Sequence, residues 1–337
     1  MWRMPAEAAA HERTWMAFPR PNDTLGTGED AEEAYAAWTA VAHAVLQFEP
    51  VTMVVDPVER DRARRMLSAE VGVIELPLDD CWIRDSGPTF VLDGDALGAV
   101  DWTFNGWGAQ DWARWDRDAL VARAVAEAAG ATRIPSDLVQ EGGAIHVDGA
   151  GSVLLTETVQ LDPGRNPGLT RADVEAELAR TIGAEHAVWL PRGLTRDYER
   201  YGTRGHVDML LHAPAPGVLL LHRQDDPAHP DRAVTAGVRT ALEAATTADG
   251  GAWTLIDLPA PERLRDADGF VDWNYANHLV VDGGVVACAY DDPADERAVA
   301  VLEDAYPGRR VVTVDARPIL ARGGGVHCIT QQQPARR

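Results

Sequence analysis

The chain has 337 residues, 46% of them apolar and 25% charged, and 31 basic side chains face 53 acidic ones, for a formal net charge of −22 at neutral pH. That composition excludes general disorder, allows roughly one to three domains and supports a sizeable core. The acidity makes nucleic acid and anionic membrane surfaces poor partners and favours small cationic ligands. Every basic residue is Arg and none is Lys, which removes Schiff-base chemistry, a pyridoxal-phosphate anchor and a Walker-type phosphate loop, since each needs that amine. Cys81, Cys288 and Cys328 form an odd set without a CxxC pair, so neither a disulfide framework nor a cysteine metal site is expected. The N-terminus lacks a signal-peptide core and no apolar run is long enough to span a bilayer, so the expectation is a cytoplasmic protein.

In chain order, the first amphipathic helix is predicted over 34–48, with Trp38, Val41, Val45 and Phe48 on one stripe facing the core. Further helices are predicted over 61–69, 119–129, 171–182, 233–245 and 295–305, each with apolar positions three or four apart. Each is followed by a short strand, in turn VIELP, TRIP, VWLP, LIDLP and VVTVDARP, which proline is expected to end. Related segments open at 84, 141, 204, 274 and 323. The first four read as β-hairpins with Gly, Asp or Pro turns, and the fifth keeps the opening and the first strand. A loose repeat of this length implies five αβββ-like units in one domain, 1–337, with quasi-fivefold symmetry and equivalent loops meeting at the axis.

Those loops carry Asp85, Glu141, His206 with Asp208, Asn274 and Cys328. Symmetry would gather them in one pocket; the competing reading is that each merely caps its own strand. Cys328 follows His327 and the run Gly323 to Gly325, where backbone approaches a ligand closely. A nucleophilic thiol needs a proton-transfer partner, for which His206 is the leading candidate. Cys288, inside VVACAY, reads as a buried small hydrophobe, and Cys81 stays open between the two readings. His146 with Asp148 and His206 with Asp208 would each share one strand face. The first pair runs into the Gly149 turn and is assigned to hairpin geometry. No further ligands stand at zinc-like spacing, so no metal or other cofactor is expected, and an organic cation suits the acidic groups better.

The motifs HERTWMAFP from 11, CWIRDSGPTFV from 81, FNGWG from 104, EGGAIHVDG from 141, NPGLT from 166, GHVD from 205, NYANHLV from 274 and GGGVHCITQQQP from 323 together resemble the bacterial agmatine deiminases and the related bacterial peptidylarginine deiminases. The resemblance implies the pentein fold, an α/β-propeller of five ββαβ units about a pseudo-fivefold axis. It also implies metal-free hydrolysis of a guanidinium to a ureido group and ammonia through a covalent thiouronium. By the same resemblance Cys328 is the nucleophile, Asp85 and Asp208 take the guanidinium nitrogens, and His206 moves the proton. Glu141 then orients His206, and Trp82 walls the cation.

One departure bears on the substrate. Agmatine deiminases carry an acidic pair in a stretch resembling DETNGHVD, whereas this chain has Tyr201, Gly202, Thr203 and Arg204 before Gly205. Asp197 and Glu199 upstream would compensate only through a rearranged loop. Arg204 is expected either to meet a substrate carboxylate or to pair internally with an acid such as Glu199. The expected partner is therefore a small guanidino cation, with agmatine first and a guanidino acid, arginine or peptidyl-arginine as rivals. Amidino transfer, a non-catalytic pentein binding protein and a metal-dependent hydrolase are the other readings, and a homo-oligomer is left open.

Overall fold

Short apolar runs alternating with single amphipathic helices build five separate small sheets in the computed structural model, which describes residues 1–336. The N-terminal part supplies three parallel neighbours, β1 (His11–Ala17), β2 (Val51–Val55) and β3 (Gly72–Glu75). Four units of one plan follow, each an antiparallel hairpin, a helix and a third strand parallel to the second. The first is β4 (Thr89–Asp93), β5 (Ala96–Thr103), helix Val121–Ala128 and β6 (Thr132–Val139). The second is β7 (Ile145–Val147), β8 (Ser152–Thr156), helix Arg171–Ile182 and β9 (His186–Leu190). The third is β10 (Leu211–Ala215), β11 (Val218–Arg223), helix Asp231–Ala244 and β12 (Thr254–Pro259). The fourth is β13 (Leu279–Val281), β14 (Gly284–Ala289), helix Asp295–Ala305 and β15 (Arg310–Asp315).

The last strand, β16 (Thr330–Pro334), returns to the N-terminus and pairs antiparallel with β1, Met16 opposite Thr330 and Thr14 opposite Gln332. This is why the fifth segment lacks a second strand of its own: the start of the chain provides it, giving a four-stranded sheet in the order β16-β1-β2-β3. The arrangement is the pentein α/β-propeller. Middle strands such as β8 are buried at every position because a neighbour sits on each edge and packing covers both faces. That accounts for apolar runs such as VLL in β8 and VVACA in β14.

Helix limits differ from the sequence expectation in places. The first helix spans Glu29–Val45, opening on three acids in its first turn, so Trp38, Val41 and Val45 are buried on it as expected. Phe48 lies beyond it and packs against Gly284, where any side chain would meet the ring at 2.3 Å. The helix predicted over 61–69 is Arg60–Met66, and 119–129 divides into a 3-10 turn at Asp118–Leu120 and helix Val121–Ala128. The 233–245 helix begins two residues earlier, whereas 171–182 and 295–305 are observed as predicted. Arg171–Ile182 is sharply bounded by a Thr170/Asp173 capping box and a left-handed Gly183. Strand β6 runs through Pro135 rather than ending there, because as an edge strand it tolerates a residue without an N–H.

Candidate active site

Just before its first strand each unit makes a tight turn or loop at the axial end: Ile83–Ser86, Gly142–Ala144, Val207–Met209, the loop around Asn277 and His327–Ile329. His206 and Asp208 therefore sit on a turn, not on one strand face as expected, yet both point to the same place. Gly143 marks it: a Cβ there would lie 2.6 Å from His206 Nδ1, 2.9 Å from Asp208 Oδ2 and 3.1 Å from Asp85 Oδ1. Polar atoms from separate segments thus converge on one point, and only glycine leaves it open. Gly142 beside it lets two backbones touch, since its Cβ would fall 2.2 Å from the Arg84 carbonyl. Cys328 Sγ lies 3.7 Å from Asp208 Oδ2 and accepts from Asn277 Nδ2 at 3.3 Å. The thiol residue is only 3% exposed.

Each group is held by identifiable partners. Trp107 Nε1 donates to Asp85 Oδ2 at 2.9 Å and the Gly143 N–H to Oδ1 at 3.1 Å. Glu141 accepts from Arg165 Nε at 2.9 Å and faces His206 Nε2 at 3.3 Å. His327 Nδ1 lies 2.8 Å from Asp208 Oδ2. Among the described residues, His206 Nδ1 and Asp208 Oδ1 are buried with no hydrogen-bond partner, Asp85 Oδ1 standing 3.8 Å from Nδ1. Such atoms are costly to leave unpaired, and both retain the capacity for a further hydrogen bond.

Burial pushes the Asp85 carboxyl up to about 6, against the His206 charge beside it. For His206, burial favours the neutral ring, but the Asp85 charge and the Glu141 contact outweigh it and hold the imidazole at about 9. Burial, reinforced by Asp208 and Asp85, keeps the Cys328 thiol well above its ordinary range. Asp208 is held low despite burial by its His327 hydrogen bond, and Glu141 despite burial by the Arg165 cation. These directions favour a protonated imidazole and a neutral thiol beside the carboxylates.

Asp85, Glu141, His206, Asp208 and Cys328 are therefore brought together as the sequence suggested, but several neighbours differ. Asn274 does not reach the centre; its amide braces its own loop through Asp272 O and Asn277 N, and Asn277 is the residue at the sulfur. Trp82 packs edge-on against Trp38 and borders the glycine loop, a Gly324 Cβ falling 2.6 Å from its ring and 3.0 Å from Cys328 Sγ. The indole that touches a carboxylate is Trp107 of FNGWG. Arg204 pairs with Asp162 at 3.1 Å rather than with Glu199. Asp197 is unavailable to a substrate, because its carboxylate accepts from Thr203 N, Thr203 Oγ1 and Gly205 N. It thereby fixes the turn that presents His206, in which Tyr201 and Arg204 adopt left-handed backbone at φ 70°. Asp148 does hold its hairpin turn, accepting from Ala150 N and Ser152 N. Its partner His146 instead accepts from Ala213 N. Cys81 and Cys288 are buried, the latter donating to Asn277 O.

Sequence reasoning missed Arg165, Asn277 and Trp107. Arg165 is buried and binds Glu141, Asp162 and Thr203 O; it stands one residue before the NPGLT motif, while the other two lie inside quoted motifs. The fold also gathers His146, His212 and His327 with ring nitrogens within 4.8 Å of one another. Most of these nitrogens are engaged by protein groups: His327 by Asp208 and Glu7, His212 Nδ1 by Tyr306 Oη and His146 Nε2 by Ala213 N. A metal would have to break these bonds, so the cluster is accounted for as a hydrogen-bonded network.

An aromatic line, Trp107 stacked on Trp112 and Trp112 edge-on to Tyr201, runs from Asp85 toward the Gly323 backbone. Outside it, Asp23 and Trp112 border two surface clefts of about 230 and 470 Å³.

A fold of five ββαβ units with a buried thiol, imidazole and carboxylates on its axis defines a guanidine-modifying pentein. The Porphyromonas-type peptidyl-arginine deiminase family model matches residues 3–334, and the chain belongs to that family. It is 53% identical over 335 residues to a Streptomyces coelicolor protein provisionally named an agmatine deiminase, covering 99% of each chain. It is 39% identical to the agmatine deiminase of Ectopseudomonas mendocina, covering 99% of this chain and 96% of that one. The solved agmatine deiminase of Enterococcus faecalis superposes with a TM-score of 0.94 at 32% identity, covering 100% of this chain and 96% of the other. The protein is a hydrolase of the agmatine deiminase-like class.

Proposed function

We propose that the protein hydrolyses agmatine to N-carbamoylputrescine and ammonia, with Cys328, His206, Glu141, Asp85 and Asp208 as its machinery. The observation that carries this reading is the meeting of His206 Nδ1, Asp208 Oδ2 and Asp85 Oδ1 within 3.1 Å of one point, with Cys328 Sγ 3.7 Å from Asp208. A planar guanidinium fits there because its N–H groups satisfy two carboxylates in bidentate fashion. After burial, Asp208 and Asp85 raise the Cys328 pKa; the bound cation offsets that acidic part, so the thiol releases its proton to solvent as the cation binds and the thiolate forms where it is needed. Sγ then bonds to the guanidinium carbon, the C–N bond breaks, and His206 gives its proton to the departing ammonia. In the second half His206 takes a proton from water, whose oxygen attacks the thiouronium; the C–S bond breaks, the departing sulfur takes up the proton of the new C–OH group, and the ureido product leaves. Its Nε2 rests on Glu141, so Nδ1 is the shuttling atom.

For the substrate tail, the Arg204–Asp162 pair removes the basic group best placed for a carboxylate. The larger cleft beside Trp112 offers Asp23, Asp111 and Glu199 to a distal ammonium, alongside the cations Arg200 and Arg204. Arg204→Gln is accordingly expected to leave the ratio of kcat/KM for agmatine and for arginine within about 3-fold, the scale of a half-exposed ion pair. A panel of alkylguanidines ending in amine, carboxylate or methyl measures this, and a ratio moving 10-fold toward agmatine would assign Arg204 to substrate. The panel also tests the function, since a ureido product must form and agmatine must lead.

The pH profile follows from the same groups. Asp85 must be ionised to accept guanidinium N–H groups and His206 must be protonated to release ammonia. The kcat/KM for agmatine should therefore rise through about 6 and fall above about 9. A flat profile across that span would remove both assignments. The three buried free cysteines suit the reducing cytoplasm.

A further inference from the structure

His327, next to the sulfur residue in sequence, is bound at both ring nitrogens by carboxylates. Nδ1 lies 2.8 Å from Asp208 Oδ2 and Nε2 lies 2.8 Å from Glu7 Oε2. A neutral imidazole has one N–H and one lone pair, so it cannot donate to two ionised carboxylates; two such contacts call for the imidazolium. Glu7 comes from the N-terminal segment ahead of β1 and is itself buried, with Oε1 accepting the Val280 N–H at 2.9 Å. The other charged or titratable groups around the ring are Arg84, whose Nη2 is 3.8 Å from Glu7, and the rings of His212 and His146 at 5.9 and 6.3 Å. Arg84 and His212 crowd the imidazolium with further donors, so it persists only if both carboxylates stay ionised.

We infer that Glu7 is a positioning residue for the reaction: it holds His327 as an imidazolium and through it keeps the Asp208 carboxylate ionised and aimed at the guanidinium. The inference rests on Asp208 being a substrate carboxylate. It explains why the chain's first residues cross to the axis, and why Cys328 carries a histidine beside it that does not contact the sulfur. The directions of titration agree, Glu7 being held low despite burial by the His327 charge, and His327 raised despite burial by Glu7 and Asp208. The neighbouring His212, held neutral by burial, hydrogen-bonds Tyr306, which in turn meets His278, so the network ends in uncharged groups.

The test has two arms. In the unmodified protein labelled with 15N-histidine, the His327 resonances, assigned with a His327→Asn variant, should report two protonated nitrogens at neutral pH. A single-proton tautomer at neutral pH would overturn the inference without touching the proposed reaction. In Glu7→Gln, kcat/KM for agmatine should fall about 10- to 100-fold, the scale of one lost charged hydrogen bond. The variant should also gain one further ionisation, that of His327, in addition to the Asp85 step at about 6, and Glu7→Asp should restore part of the rate. A uniform loss with an unchanged pH profile, or no loss, would overturn it. Absence of any ureido product from the unmodified enzyme would instead defeat the proposed function and leave the histidine result standing.

Discussion

Replacing Cys328 by Ser is expected to lower agmatine turnover by about 10,000-fold or more, while guanidine binding stays measurable. The hydroxyl is isosteric with the thiol but its pKa lies far above any that a bound cation could bring into range, so the covalent step fails. The carboxylates that take the cation are untouched: Asp85 keeps Trp107 and Gly143, and Asp208 keeps His327. Ammonia release scores the reaction and calorimetric titration with agmatine scores binding. Activity within 10-fold of the parent would place the nucleophile elsewhere, and neither remaining thiol is positioned to replace it.

The second large effect is on stability and activity together. Arg165→Leu should destabilise the fold by about 3–5 kcal/mol, because it strands a buried carboxylate without its counter-charge. Arg165 binds Glu141 and Asp162 through side-chain contacts of 2.9 Å and ties both to the Thr203 carbonyl. With the guanidinium gone, Glu141 loses the cation that keeps it ionised, and His206 loses an anionic partner. Denaturant unfolding should show the lower midpoint, and the rate should drop at least about 100-fold from loss of the charged support. The double variant Arg165→Leu, Glu141→Gln should recover stability, since no bare charge remains, without recovering activity. Recovery of activity as well would mean that Glu141 has no part in orienting His206.

Much of this architecture is legible in one dimension. Hairpin turns, helix periodicity and a loose repeat imply five similar units, because each element's hydrogen bonding and burial are local properties with a local signature. The proposed reacting groups are legible as well: Asp85, Glu141, His206, Asp208 and Cys328 stand at openings of those units, so symmetry predicts that they meet, although Asn274 at the remaining opening braces its own loop instead. The completing strand of the fifth unit is not, since nothing in HERTWMA states that its antiparallel partner lies more than 300 residues away.

What carries the site's electrostatics is legible least. Arg204 and Glu199 are close in sequence, yet Arg204 turns to Asp162 because a left-handed backbone held by Asp197 aims it there. Arg165, Asn277 and Glu7 look unremarkable in their segments, and each becomes informative only where burial removes water and leaves one partner within reach. The amino-acid sequence by itself determined the kind of reactive groups, the repeat and the charge that suits a cation, since composition and period survive without coordinates. Only the tertiary structure decided which atoms pair, which stay unpaired and which protons are held, because those depend on distance and desolvation between segments that the chain order does not relate.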